Sequence, residues 1–302
     1  MKPFKIAVVG LPGNWSTEIL ADEIAAVTGF RMVIDLHKVA AELSPPCLHY
    51  QGQNLCELDA VIIKKISATY SPNVLDRLEM LRLMESCGVR VYSKPSEIIR
   101  LVNRMSGSVS LARAQIPMPK TCMTEDPEAA LKAVHHYGEA ILKPLFSTKA
   151  RGMQVLRAGD GDSRVREQLG NFYAKHRFFY IQQKLQLPGH DLGLVFLNGV
   201  YQGAYARIAH GNSWNTTIEA GGNYARAEPS AQTIELAQRA QAQFKLSFCT
   251  VDMAETEAGP VCFEVSAFGG FKGAHEGLGL NMANAYCHFV LTELMQERYP
   301  KV

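Results

Sequence analysis

Two acidic residues in the stretch Thr250 to Phe271, TVDMAETEAGPVCFEVSAFGGF, stand at a spacing that implies chemistry. Two alternating segments flank a turn holding Glu257, Ala258, Gly259 and Pro260, the pattern of a β-hairpin. Side chains alternate along a strand, so Val251 and Met253 share a face with Val261, Phe263 and Val265. Asp252, Cys262, Glu264 and Ser266 take the other face. A turn centred on Ala258 sets Asp252 opposite Glu264. Carboxylates so opposed, about 5 Å apart, repel each other, and a hard cation bound through oxygen relieves that repulsion. The hairpin reads either as a Mg²⁺ site or as a solvated hairpin carrying two acids. Cys262 is of no use to a hard metal and reads as packing.

A second group is cationic. Lys143 ends the apolar strand Ala140–Pro144, and Leu145-Phe-Ser-Thr-Lys-Ala-Arg-Gly-Met153 follows. Hydroxyls, backbone N–H groups and two cations in one loop suit a phosphate cradle, and equally an ordinary basic hairpin loop.

The 302-residue chain is long enough for two or three compact units. Its 31 basic and 29 acidic residues leave +2, which argues against nucleic-acid or membrane partners. Seven cysteines, an odd number with no CxxC pair, read as reduced thiols of a cytoplasmic protein. The opening MKPFKIAVVGLPGNWS has no signal-peptide pattern, and no apolar run reaches transmembrane length.

The elements that must position these groups follow from periodicity. KIAVVG (5–10) reads as a buried strand, Gly10–Ser16 as a structural strand-to-helix turn, and residues 16–27 as a helix. Strands near 31–36, 60–65 and 89–93 and a helix near 73–87 complete an α/β unit over 1–94. One helix is expected from Pro95 to Ala114, then an extended linker at Ile116-Pro-Met-Pro119. Strand, helix and strand precede the basic loop. A helix near 164–175, the strand 178–185, and a hairpin through Asn198-Gly199 come after it. The polar stretch His210–Tyr224 has a length that is more often functional than spare. A helix near 231–244, the acidic hairpin, a glycine-rich loop (268–279) and a helix near 280–297 end the reading.

The order of these motifs resembles the ATP-grasp superfamily, in particular RimK-type amino-acid ligases, from about residue 95 onward. ILKPLFSTKARGM resembles the family's lysine and loop, FEVSAFGGFKG its metal motif, and ARIA…WNTTIEAGGNY the segment between. The chain is also similar to the ATP-grasp branch found beside a kinase-like protein (the GAK-system group). The resemblance implies a mixed α/β and α+β fold: an N-terminal pre-ATP-grasp domain over 1–94, a central and lid part over 95–185, and a C-terminal part over 186–302 carrying the metal. It assigns ATP phosphates to Arg104, Lys143 and the loop residues Ser147, Thr148, Arg151 and Gly152. Gln182, Gln183 and Leu185 fall on the adenine-holding strand, Asp191 near the ribose, Thr217 near phosphate and metal, and Arg207 at the transferring phosphoryl group. Asp252, Glu264 and Ser266 would hold one or two Mg²⁺ ions, with Mn²⁺ as a substitute. The implied reaction joins a small-molecule or peptide carboxylate to an amine through an acyl phosphate, in a protein that can associate with copies of itself.

This chain departs from the pattern at Ser266, where the family has asparagine, at Arg104 for lysine, and at Asn215 and Gly193, where basic side chains are usual. Those departures keep two other readings open, a nucleotide-binding regulatory or scaffold protein and an ATP-dependent phosphotransferase. His135 and His136 read as a solvated helix end, and His190, His210 and His275 as scattered. Trp214 reads as a lid or as packing, Lys272 as an anion ligand or a surface lysine.

Overall fold

Ile6-Ala7-Val8-Val9 is buried at every position, as suits a central parallel strand covered on both faces. The structure, a computed structural model, describes residues 3–148, 150–209, 216 and 221–299. That strand, β1 (Ile6–Val9), turns at Gly10 into α1 (Trp15–Thr28), and β2 (Val33–Ile34) follows. A Cβ on Gly10 would lie 2.5 Å from the Thr17 methyl, so this turn is glycine for packing. The strand expected over 31–36 keeps only two residues, because the Asp35 carboxylate accepts from His37 N and starts a short turn.

Three short antiparallel strands that the sequence did not suggest come next: β3 (Ala40–Leu43), β4 (Pro46–Tyr50) and β5 (Gln53–Asn54). β6 (Ala60–Ile63), α2 (Val74–Ser86) and β7 (Arg90–Tyr92) complete a parallel sheet of order β2-β1-β6-β7.

The single helix expected over 95–114 is two, α3 (Pro95–Val102) and α4 (Arg104–Arg113). Asn103 is extended at φ −103°, ψ 119°, and its side chain accepts from Met105 N as the cap of α4. The break places Arg104 in the first turn of a new helix.

A second, antiparallel sheet of order β10-β9-β11-β8 contains β8 (Thr121–Thr124), β9 (Glu139–Leu142), β10 (Gln154–Arg157) and β11 (Phe179–Gln183). The helices α5 (Pro127–Tyr137) and α6 (Asp162–His176) share its core through Leu131, Val134, Leu169 and Phe172.

The third sheet runs β14-β13-β12-β15-β16 and is antiparallel throughout. It is built from β12 (His190–Leu197), β13 (Val200–Ile208), β14 (Asn223–Ala227), β15 (Phe248–Thr256) and β16 (Gly259–Ser266). One face packs Leu192, Leu194, Val251 and Met253 with α7 (Ala231–Ala242) in a core shared with α2. On the other, Val195, Tyr205 and Phe248 join α1 and α9 (Met282–Arg298). The stretch expected as a glycine-rich loop contains a two-turn helix, α8 (Lys272–Leu278).

Lys64, just past β6, ties the first sheet to the third. Its buried ammonium donates to Gly269 O at 2.6 Å and lies 3.6 Å from the Phe271 ring centre and 4.7 Å from that of Phe248. Among the described residues no helix is long and apolar enough to cross a membrane.

Candidate active site

The acidic hairpin forms with Asp252 directly opposite Glu264, as its sequence predicts, but by a different route. The two-residue turn pairs Thr256 with Gly259, which alone would misalign the acids by one position. A β-bulge at Phe263 restores the pair, since Met253 opposes Cys262 while Asp252 opposes Glu264. The bulge also corrects the expected faces. Cys262 lies buried in the apolar core with Met253 and Val265, while Phe263 leaves that core to line a pocket with Glu264 and Ser266. Packing is therefore the role of Cys262, and the carboxylate face carries no thiol at that position.

Across the sheet the same face gathers an ionic network. Asp191 opposes Arg207, and Gly193 opposes both Asp252 and Tyr205. Arg207 donates to Asp191 through Nε at 3.0 Å and through a terminal nitrogen at 2.6 Å, and that nitrogen also lies 3.2 Å from Asp252. Thr216 donates its hydroxyl proton to Asp191 at 2.7 Å. Burial pushes the Asp252 carboxyl up to about 7 against the pull of Arg207. Arg207, held between two acids, is raised well above its ordinary value although burial opposes this.

A parallel pair lies beside it. Arg104 donates to Glu264 at 2.5 Å, its Nε to Pro144 O at 3.4 Å, and its backbone N to Leu145 O at 3.0 Å. Burial would raise Glu264, yet Arg104 and Lys143 outweigh it and hold that carboxyl below its usual range. Lys143 is buried just after β9, where its ammonium donates to Gln182 Oε1 at 2.5 Å. Desolvation, then the nearby Arg104, bring its pKa down to about 7. Ser147 and Thr148 line the pocket of Glu264 and Ser266, and Arg104 reaches Ser147 Oγ at 3.5 Å.

Two opposed carboxylates that cannot both stay charged without partners, with Arg104, Lys143 and Arg207 within reach, suit oxygen ligation of a hard divalent ion beside an anion. The oxygen donors of the pair and their present neutralisation by arginine both fit such an ion.

Residues 103–290 match the profile of the RimK-like ATP-grasp domain. The chain belongs to that family.

Among its relatives, a tetrahydromethanopterin:alpha-L-glutamate ligase of Methanosarcina acetivorans is 29% identical over 271 residues, 84% of this chain and 83% of the relative. Among solved structures, the ATP-grasp ligase PsnB with a phosphomimetic precursor variant, Mg and ADP superposes at a TM-score of 0.74. That comparison covers 97% of this chain and all of PsnB at 17% identity. A RimK domain protein from Sphaerobacter thermophilus superposes at 0.71, with 20% identity over 95% of this chain and 99% of its own. The latter two speak for the ATP-grasp fold.

Within this RimK-like fold, Arg104, Ser147, Thr148, Glu264 and Ser266 line one pocket, Lys143 lies buried on Gln182 within electrostatic reach of Glu264, and Asp191, Arg207 and Asp252 form the neighbouring ionic network. The Gln182 side chain is buried against Lys143, Thr121 and Tyr180, so it positions the lysine. Gln183 ends β11 and Leu185 lies half-buried beyond it. Arg151 and Gly152 are exposed, and Gly152 takes φ +71° with its Cα facing Pro144, whose Cγ would lie 3.2 Å from an added Cβ. Thr217 lies outside the described residues, as do His210, Trp214 and Asn215.

Three contributors went unread in the sequence. Tyr180 hydrogen-bonds Ser108 at 2.8 Å and sets its ring 6.0 Å from the Arg104 guanidinium. Phe263 left no signal, because a bulge has no motif here. Tyr205 accounts for Gly193: a Cβ there would sit 2.6 Å from the tyrosine hydroxyl, so packing excludes the basic side chain common at that position.

Proposed function

We propose that this RimK-like protein joins a carboxylate to an amine with ATP and Mg²⁺, through an acyl phosphate. The observation that carries the reading is the Asp252–Glu264 pair, each acid engaged by an arginine, with buried Lys143 beside it. A substrate carboxylate oxygen attacks the γ-phosphorus and ADP departs. The amine then attacks the acyl carbon, phosphate leaves, and the amine's proton passes to solvent. Such chemistry rests on positioning and charge, and needs no nucleophilic side chain.

Lys143 and Arg104 hold the phosphates, Ser147, Thr148, Arg151 and Gly152 cover them against water, and Arg207 faces the transferring group. Gln183, Leu185 and Asp191 border the nucleoside. Asp252, Glu264 and Ser266 would hold Mg²⁺, or Mn²⁺ in its place, and the ion would supply positive charge against the phosphate oxygens. Arg104 exchanges Glu264 for phosphate as nucleotide enters. Residues 95–185 and 186–302 are the two halves that grip the nucleotide, and residues 1–94 are the N-terminal pre-ATP-grasp domain, in a cytoplasmic enzyme. The relatives' names make L-glutamate the first amine to try.

Ser266 favours a second reading, a nucleotide-binding regulatory protein, because its hydroxyl reaches less far than an asparagine oxygen. A panel of amino acids and peptides with Mg²⁺-ATP separates the two: ligation releases ADP, and hydroxylamine traps the acyl phosphate as a hydroxamate. Nucleotide binding with no ADP release across the panel would overturn ligation.

A further inference from the structure

The hairpin of β3 and β4 gathers three different ligand types that the nucleotide site does not use. Glu42 on β3 stands directly opposite Cys47 on β4, and His49 lies two residues further along β4, on the same face as Cys47. Cys47 Sγ is 3.2 Å from His49 Nε2 and 3.9 Å from Glu42 Oε2. All three ligating atoms fall within 4.8 Å of one another. Bonds of 2.0–2.3 Å in a tetrahedral zinc site put neighbouring ligand atoms roughly 3.5 Å apart, so the side chains are already near ligating positions.

The strand itself supplies a second observation. All four residues of β3 are exposed, with Leu43 at 73%, so the strand buries no apolar side chain. β4 is anchored through buried Leu48 and Tyr50 and paired to β5 on its other side, so among the described residues β3 is the edge strand held only by its pairing to β4. A cation bridging Glu42 to Cys47 and His49 would cross-link β3 to β4 and give the strand an anchor.

We propose that Glu42, Cys47 and His49 form a site for one borderline divalent cation, zinc in particular, distinct from the nucleotide centre. A thiolate, an imidazole and a carboxylate are each ligands zinc takes, and three protein ligands leave its fourth position open. Burial, then the Glu42 carboxylate, hold the Cys47 thiol above its ordinary value, so binding releases its proton to solvent as the sulfur–metal bond forms. The neighbouring thiols of Cys56 and Cys87, 2.7 Å apart, lie outside this ligand set and serve as the control.

The test uses the full chain, reduced and stripped with chelator, titrated with Co²⁺ and then Zn²⁺. One equivalent of Co²⁺ is expected to give a thiolate charge-transfer band and the intense visible bands of a tetrahedral ion, both erased by Zn²⁺. Cys47→Ser, or Cys47→Ala if the serine variant fails to fold, abolishes the charge-transfer band and leaves Mg²⁺-ATP binding unchanged. His49→Ala weakens Zn²⁺ at least about tenfold, the lower end of what losing even an outer-shell partner costs. Cys56→Ser/Cys87→Ser keeps the bands, and Zn²⁺ slows proteolysis within 40–50. Folded protein without the charge-transfer band, bands that survive Cys47→Ser, or bands lost in the Cys56→Ser/Cys87→Ser variant would overturn the proposal.

Discussion

Replacing Arg207 with methionine removes the cation shared by Asp191 and Asp252 while keeping most of the side chain's volume. The guanidinium makes contacts of 2.6, 3.0 and 3.2 Å to these acids, which are only 10% and 16% exposed. Removing one partner of a buried pair costs about 3–5 kcal/mol, because the other charge stays buried and uncompensated. Two acids depend on Arg207, so the upper half of that range applies. A thermal unfolding midpoint about 8 °C or more below the parent follows, at about 2–4 °C per kcal/mol for larger domains. Adding Asp252→Asn removes one orphaned charge, and the double variant should regain about 1–3 kcal/mol relative to additivity. Mg²⁺ should stabilise Arg207→Met more than the parent, since the ion replaces the lost positive charge. Calorimetry with and without Mg²⁺ reads all three effects. A single variant within about 1 kcal/mol of the parent, or a strictly additive double variant, would refute the shared-cation reasoning.

Lys64 gives a pH signature: burial brings its pKa down to about 7, so the unfolded chain binds the extra proton above that pH. Stability should therefore rise from pH 7 toward 10.5, the ordinary lysine value, and Lys64→Met should remove its share of that slope in pH-dependent melts, Lys143 keeping the other. Gly193→Ala places a methyl 2.6 Å from the Tyr205 hydroxyl and should lower stability by about 1–3 kcal/mol in denaturant titration, with Tyr205→Leu recovering part of it. Asn103→Ala should cost about 1 kcal/mol as a lost helix cap and weaken ATP binding through the displaced Arg104, which calorimetry of binding separates from stability.

Residues whose role depends on local spacing are legible in the sequence. Counting about the turn pairs Asp252 with Glu264, and Lys143 stands out by its place at a strand end ahead of a polar loop. The ATP-grasp architecture follows from the order of those motifs. What escapes is whatever depends on contacts distant in sequence or on packing. Asn103 carries no sign that it breaks a helix until Met105 is seen to donate to it. The bulge at Phe263 depends on how the hairpin packs, so counting yields the right acid pair with Cys262 on the wrong face. Gly193 reads as a lost basic residue because Tyr205 lies twelve positions away in the chain and directly opposite in the sheet. The hairpin over 40–50 does carry a turn signal at Ser44-Pro45-Pro46, but its flanking segments lack a clear apolar alternation, and its ligands come together only through strand register.

The most direct measurement is anomalous diffraction from crystals grown with Mn²⁺ and a non-hydrolysable ATP analogue. The expected result is a manganese peak bonded to Asp252 and Glu264, with the γ-phosphate bridging it and Arg104 turned from Glu264 to phosphate. Manganese bound elsewhere, with Arg104 and Arg207 still paired to both acids while nucleotide is present, would contradict the assignment of this centre.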